Sequence, residues 1–170
     1  MGLIPDDGVH IRGYVSKRPS EITSGTYCES GDVLLAKITP SFENGKQAIV
    51  AGIPTRFAYA TTEVYPLKAR AGVLDAMFLF HFLKWPRVRT DIAGKMEGST
   101  GRQRVPKAVI EEYLIPLPPL AEQKGMAGAL STVATRGQAA LHCKAALQEL
   151  FKSMLHQLMT GQLRVKNIEV

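Results

Sequence analysis

Apolar residues recur at alternating steps of four and three along the second half of the chain. The series runs from Met126 to Leu158 and is interrupted only at Gly137 and Lys144. This spacing is the heptad pattern of a coiled-coil helix. It predicts one long helix within 120–165, about 60 Å in length at a rise of 1.5 Å per residue.

A domain built from the preceding residues is too small to cover an apolar seam of that length, so the seam predicts pairing with a second helix. The residues expected to pair are its apolar members: Met126, Leu130, Val133, Ala140, Leu147, Phe151, Met154 and Leu158. Two alternatives stay open. The helix could fold back on its own domain, or it could break into a hairpin near 135–138, where Gly137 weakens the seam.

The first part of the chain, residues 1–119, has a different pattern. Glycine and proline recur every few residues and the apolar runs between them are short, which is typical of strands joined by turns. Residues 39–46 are predicted as a loop in which Asn44-Gly45 reverses the chain. The predicted strands lie at 31–38, 47–50 and 57–67, and the predicted helices at 74–83 and 105–112. The whole pattern predicts an α+β domain followed by one long coiled-coil helix.

The composition fits this division and points to a negatively charged partner. The chain has 170 residues, of which 45% are hydrophobic and 21% are charged, so one folded domain with a long appendage is expected. Basic residues exceed acidic ones by a formal charge of +6, which suits a polyanion. The most hydrophobic run, residues 77–83, is far shorter than the ~20 apolar residues that span a membrane. No membrane partner is therefore expected.

Residue types that carry catalysis or bind metals are sparse. Cys28 and Cys143 lie far apart and outside any zinc-ligand spacing. No cofactor or metal is therefore expected, and a reducing, cytoplasmic compartment is favoured. The sequence has neither a phosphate-binding loop nor an HExxH zinc motif. A small hydrolase that uses Cys28 with a histidine stays an alternative without a supporting motif.

Positive charge is concentrated between residues 84 and 107. The acidic residues there are Asp91 and Glu97, and the basic ones are Lys84, Arg87, Arg89, Lys95, Arg102, Arg104 and Lys107. Within this stretch, the segment 98–104 combines glycine hinges with hydroxyl, amide and guanidinium groups. Arginine pairs with guanine, glutamine with adenine, and hydroxyl groups with phosphates. Together with the polar loop at 37–46 the segment is a candidate DNA-binding surface, and a merely solvated basic loop is the alternative.

Four stretches resemble the specificity subunit of type I restriction–modification enzymes. They are the strand–loop–strand at 31–50, the segment 60–63, the Gly-Ser-Thr loop at 98–103, and a helix bracketed by 115–123 and 158–165. The helix is the most specific of these. A Pro-Leu-Pro-Pro-Leu-x-Glu-Gln entry and a Leu-Met-Thr-Gly exit bracket it at the expected separation. The resemblance covers about residues 25–165.

The resemblance implies a target recognition domain at 1–119, with a small twisted β-sheet and flanking helices. It would read half of a bipartite DNA sequence and have no catalysis of its own. The residues that the resemblance implies for contact with bases or phosphates are Lys37, Thr39, Ser41, Asn44, Lys46, Thr61, Thr62, Ser99, Thr100, Arg102, Gln103 and Arg104, of which Thr61 and Thr62 are the weaker candidates. Family members usually have further strands before residue 31, so an N-terminally incomplete domain is expected.

The resemblance also implies partners. The segment 120–165 would be a spacer and a docking surface for methyltransferase subunits, in a complex that also holds restriction subunits. A full subunit of this family carries two such domains and two antiparallel helices, whereas this chain has one of each. We therefore expect an antiparallel homodimer that favours a palindromic bipartite site. The alternative is an assembly or adaptor protein that acts through the long helix without specific DNA binding.

Overall fold

The computed structural model describes residues 1–99 and 101–164, and its architecture is α+β, as the sequence pattern predicts. Small antiparallel sheets and short helices fill the first part of the chain, and one long helix follows. The described residues divide into two compact units. The first runs from Met1 to Ala127, and the second begins at Gly128.

Five short strands form two small sheets in the first unit. They are β1 (Thr26–Glu29), β2 (Val33–Ala36), β3 (Gln47–Ile49), β4 (Phe57–Ala60) and β5 (Val64–Leu67). Strand β2 lies in the centre of a three-stranded antiparallel sheet with the order β3-β2-β5, and β1 pairs with β4. Every residue of β2 is buried. Its side chains alternate between two cores, as the period of a strand requires: Val33 and Leu35 enter one core and Leu34 the other.

Three short helices and a two-stranded hairpin complete the first unit. They are α1 (Ala76–Lys84), α2 (Pro86–Ala93), the strands β6 (Glu97–Ser99) and β7 (Arg102–Arg104), and α3 (Lys107–Glu111). Asp75 begins α1, because its carboxylate accepts hydrogen bonds from the backbone N–H groups of Met77 and Phe78 at 3.0 and 2.9 Å. Side chains of α1 and α2, with Phe80 and Ile92 at the centre, pack on β2 and form the larger core.

Two expectations from the sequence need correction here. The single strand predicted at 57–67 is two strands, β4 and β5, which belong to different sheets because the chain turns at 61–63. The segment 98–104, predicted as a glycine-hinged loop, lies in the paired hairpin of β6 and β7. The pattern also gave no sign of β1 or α2.

The helix α4 (Leu120–Met159) is continuous over 40 residues. The prediction of one long helix is confirmed, and the hairpin alternative near Gly137 is wrong. In the first unit, Gln123 and Ala127 of this helix are buried. In the second unit the apolar seam lies open to solvent, with Val133 69% and Phe151 67% exposed. None of the described helices is both long and apolar enough to cross a membrane.

Candidate nucleic-acid interface

The connection between β2 and β3, residues 37–46, is a polar loop with a tightly folded tip. Within it, backbone N–H groups donate back along the chain, from Asn44 to the Pro40 oxygen at 2.9 Å and from Lys46 to the Ser41 oxygen at 2.9 Å. Gly45 has a φ of +80°, a conformation that side chains disfavour. We call this segment the β2–β3 loop.

The hairpin formed by β6 and β7, residues 97–104, depends on a close approach of two backbones. Gly98 has a φ of +129°, and a Cβ atom at this position would lie 2.6 Å from the carbonyl oxygen of Arg102. Gly101, in the turn, has a φ of +79°. Glycine is therefore required at position 98 for the strands to pair in this register. We call this segment the β6–β7 hairpin.

The structure brings these two predicted segments together. The backbone N–H of Thr39 donates to the carbonyl oxygen of Gln103 at 3.0 Å, and the Thr39 hydroxyl reaches the same oxygen at 3.3 Å. Two residues further on, the N–H of Val105 donates to the Lys37 oxygen at 2.8 Å. The base of the β2–β3 loop is thus paired along its backbone with the second strand of the hairpin.

The turn between β4 and β5 joins the same surface through an ion pair. Arg104 donates from Nη2 and Nε to the two carboxylate oxygens of Glu63, at 3.0 and 3.2 Å. These hydrogen bonds hold the pKa of Glu63 below its ordinary value and raise the pKa of Arg104. The backbone N–H of Lys37 donates to the backbone carbonyl oxygen of Glu63 at 3.1 Å, and the Lys37 ammonium lies 5.0 Å from the centre of the Tyr65 ring. We call the loop, the turn at 61–63 and the hairpin together the composite surface.

Most of the predicted contact residues reach solvent on this surface. Exposed are Asn44, Thr62, Ser99, Arg102 and Arg104, and partly buried are Lys37, Thr39, Ser41, Lys46, Thr61 and Gln103. Thr100 lies outside the described residues. Thr61 and Thr62 lie in the turn, and the Thr61 hydroxyl accepts a hydrogen bond from the Glu63 N–H at 3.4 Å.

The structure changes the interpretation of the basic stretch at 84–107. Several of its cations are already paired within the protein: Lys95 with Asp91, Lys107 with Glu111, and Arg104 with Glu63. Lys84 donates to the Asp6 carbonyl oxygen, and Arg89 is buried. Arg102, by contrast, is exposed and forms no ion pair with any residue that the structure describes. Among the predicted contacts of the hairpin, Arg102 is therefore the guanidinium that is available to a ligand.

Sequence reasoning missed two residues that build this surface, Glu63 and Tyr65. Glu63 orients Arg104. The Tyr65 hydroxyl donates to the carbonyl oxygen of Val105, the residue that follows the hairpin, at 2.8 Å. Burial raises the pKa of Tyr65, so the hydroxyl keeps its proton. No spacing in the sequence connects these residues with the hairpin, because the contacts join segments about 40 residues apart.

The described part of the chain shows neither a metal-ligand cluster nor an activated thiol at Cys28. It contains no cluster of histidine, cysteine, aspartate and glutamate that could hold a metal ion. Cys28 is buried and its thiol donates to the Ala58 carbonyl oxygen at 3.4 Å. Burial, aided by the charge of Asp32, raises the pKa of this thiol, which is the opposite of what a nucleophile needs.

Comparison with known proteins places the chain in a family. Residues 15–149 match the family described as type I restriction modification DNA specificity domain. This range includes the composite surface and most of α4, and the chain belongs to that family.

Three similar proteins are specificity subunits. The type I restriction enzyme EcoEI specificity subunit of Escherichia coli is 35% identical over 126 residues, 74% of this chain and 21% of that protein. The EcoAI specificity subunit of the same organism is 34% identical over 119 residues, 69% of this chain and 20% of that protein. The MjaVIII specificity subunit of Methanocaldococcus jannaschii is 24% identical over 168 residues, 99% of this chain and 37% of that protein. The chain spans about a fifth of the length of the two Escherichia coli relatives.

Proposed function

We propose that the chain is a DNA-recognition module of a type I restriction–modification complex and that the composite surface reads the DNA. The observation that carries this proposal is the junction of Thr39 with Gln103, because it joins two segments distant in sequence into one polar surface, with four basic side chains against the carboxylates of Glu43 and Glu97. The family and the names of the relatives support the same ligand. The alternative is an adaptor with inert loops, in which this junction only stabilises the fold.

The composite surface suits double-stranded DNA because it offers both kinds of group that DNA recognition uses. Arg102 has a free guanidinium that can pair with guanine, and Asn44 has an exposed amide that can pair with adenine. The hydroxyls of Ser41 and Ser99 and the ammonium of Lys46 suit phosphates. Arg104 acts on the DNA less directly, since Glu63 already accepts hydrogen bonds from its Nε and Nη2 and pairs with its charge.

In this proposal the module has no catalysis of its own, and methyltransferase and restriction subunits supply it. Residues 1–119 are the reading domain and 120–165 the spacer helix, of which position 165 lies outside the described residues. The complex works in the cytoplasm, where it meets DNA and where the free thiols of Cys28 and Cys143 stay reduced.

The exposed seam of α4 supports pairing with a second copy of the chain. A helix with such an apolar stripe open to solvent is stabilised when another helix covers it. An antiparallel arrangement matches large residues across the two-fold axis: Met126 with Leu158, Leu130 with Met154, and Val133 with Phe151. Two reading domains related by this axis would favour a palindromic site.

Selection of duplexes from a random library, with the intact chain alone and with a methyltransferase subunit added, tests the DNA-reading proposal. We expect enrichment of a bipartite sequence whose halves are related by two-fold symmetry, with affinity that falls as salt rises. Arg102→Ala should weaken binding to that sequence by about 1–3 kcal/mol and relax the preference at one base pair. Lys107→Ala, which removes a cation already paired with Glu111, is the control. A pool that stays random would favour the adaptor alternative.

Light scattering at micromolar concentration tests the pairing of α4. The wild-type chain should be a dimer, and Phe151→Glu should convert it to a monomer because two charges would enter the seam. The control is Ser153→Glu, which adds the same charge to an exposed position about half a turn away from Phe151. A wild-type chain that is strictly monomeric would contradict the proposed homodimer.

A further inference from the structure

Arg89 is a buried cation whose partners are all neutral. It lies on α2 and is 8% exposed. Its guanidinium donates to the Phe42 carbonyl oxygen at 2.6 Å, to the Gln47 Oε1 at 2.7 Å and to the Leu83 carbonyl oxygen at 2.9 Å. No carboxylate forms an ion pair with it among the described residues. Burial lowers the pKa of Arg89 to about 10, so the group still carries its charge at neutral pH.

These contacts attach the tip of the β2–β3 loop to helix α2 on its buried side. The Phe42 oxygen that receives the Arg89 bond also accepts the N–H of Gly45 at 2.9 Å, and the guanidinium lies 5.2 Å from the centre of the Phe42 ring. At the other end of the tip, Gln47 is buried and donates to the Phe80 carbonyl oxygen at 2.6 Å. A single side chain therefore fixes both ends of the segment that presents Asn44.

The base of the same loop is fixed by a different set of contacts. There, Thr39 pairs with Gln103 of the β6–β7 hairpin. The loop thus has two independent supports, one for its base from the hairpin and one for its tip from α2. A change at Arg89 detaches the tip from α2 without removing the hydrogen bonds that hold the base and the hairpin, and the turn within the tip then depends on its own backbone hydrogen bonds.

We propose that Arg89 is a positioning residue for DNA specificity, because it holds the loop tip in the one conformation from which Asn44 and its neighbours contact bases. This inference rests on the proposed function. It gives Arg89, the buried cation of the basic stretch, a supporting role inside the protein instead of a direct contact with DNA. The planar guanidinium is suited to the task, since its fork of donors reaches several acceptors in fixed directions. A lysine keeps the charge but has a single nitrogen and cannot reproduce these contacts.

The test compares base preference at every position of the selected DNA site for a set of single variants. Asn44→Ala maps the base pairs read by the loop tip, and Arg102→Ala maps those read by the hairpin. Arg89→Lys should reduce discrimination roughly tenfold at the base pairs mapped by Asn44→Ala. It should leave the base pairs mapped by Arg102→Ala as in the wild type. Arg87→Lys, the same exchange at an exposed position of α2, should leave the whole profile unchanged.

Base preference is a ratio of affinities, so a smaller folded fraction does not alter it. If Arg89→Lys yields too little folded protein, Gln47→Met removes one acceptor of the same network and should flatten the same base pairs. Two results overturn the inference about Arg89 and leave the proposed function standing. One is a wild-type profile for Arg89→Lys at the positions that Asn44→Ala changes, and the other is equal flattening at all positions. If neither Asn44→Ala nor Arg102→Ala changes any base preference, DNA reading by the composite surface is wrong and the inference falls with it.

Discussion

Replacing Gln123 with leucine should destabilise the first unit by removing the contacts that fix the start of α4. Gln123 is fully buried, and both the nitrogen and the oxygen of its side-chain amide form hydrogen bonds. The Nε2 group donates to the carbonyl oxygens of Val73 and Pro118 at 2.9 and 2.8 Å, and Oε1 accepts the N–H of Asp75 at 2.9 Å. A leucine of similar size fills the space but leaves three backbone groups without these partners.

The magnitude follows from the cost of buried polar groups that lose their partners, about 1–3 kcal/mol each. Pro118 is partly exposed and can recover a bond with water, and the leucine gains apolar burial. We therefore expect a net loss of about 3 kcal/mol. For a unit of this size the loss corresponds to a fall in Tm of roughly 12 °C. Urea and thermal unfolding followed by circular dichroism measure both quantities.

Lys124→Leu is the matched control because it makes the same side chain at the next, exposed position. Its effect should stay within about 0.5 kcal/mol. A loss below about 1 kcal/mol for Gln123→Leu, or equal losses in the two variants, would refute the role assigned to the buried amide.

Gln123→Glu adds a pH test of the same site. The carboxyl would face the oxygens of Val73 and Pro118, which favour its protonated form, so its folded-state pKa would lie above the unfolded value of about 4.3. The unfolded state then loses its proton first as pH rises. The variant should therefore be closest to the wild type in stability near pH 4 and lose stability relative to it towards pH 7. A difference that shrinks as pH rises would contradict this environment.

Two further predictions concern the composite surface. In Glu63→Gln the ion pair with Arg104 is lost. The pKa of Glu63 is lowered in the folded state. The contribution of its carboxylate to the free energy of unfolding is therefore present above the unfolded pKa and disappears as pH falls through the folded pKa. The stabilities of wild type and variant should thus differ at pH 7 and converge in acid, and a constant difference in urea unfolding would argue against the pair. Gly98→Ala should disrupt the β6–β7 hairpin, because its Cβ would lie 2.6 Å from the Arg102 oxygen, at a cost of about 2 kcal/mol or more. Amide exchange that stays as slow in 97–104 as in the wild type would contradict this.

The long helix was predictable because its signal is local. The four-and-three spacing lies within one continuous segment, and neither the seam nor its end near Gly161 depends on distant residues. The division of 57–67 into β4 and β5 was not predictable in this way. No glycine or proline lies between Ala60 and Val64, and the turn there is set by pairing with different partner strands, β1 and β2.

The sequence could predict which segments form the candidate site, but not how those segments contact each other. Residue types indicated the segment that holds Arg102 as a DNA contact, and the family resemblance added Asn44; both stay predictions. They could not show that Thr39 meets Gln103, 64 residues away. Nor could they separate Arg89 from its exposed neighbours, because charge is visible in a sequence while burial depends on partners such as Gln47, 42 residues away. Tertiary packing decides which cation is buried and which is exposed to solvent.

Hydrogen–deuterium exchange of the intact chain, with and without a duplex that it selects, tests the composite surface most directly. If the β2–β3 loop and the β6–β7 hairpin bind one half-site together, amides in 37–46 and in 97–104 should both exchange more slowly when the duplex is added. A scrambled duplex of equal length should leave them less protected at the same salt concentration. Protection confined to α4, or to one of the two segments, would contradict a DNA-reading surface built from both.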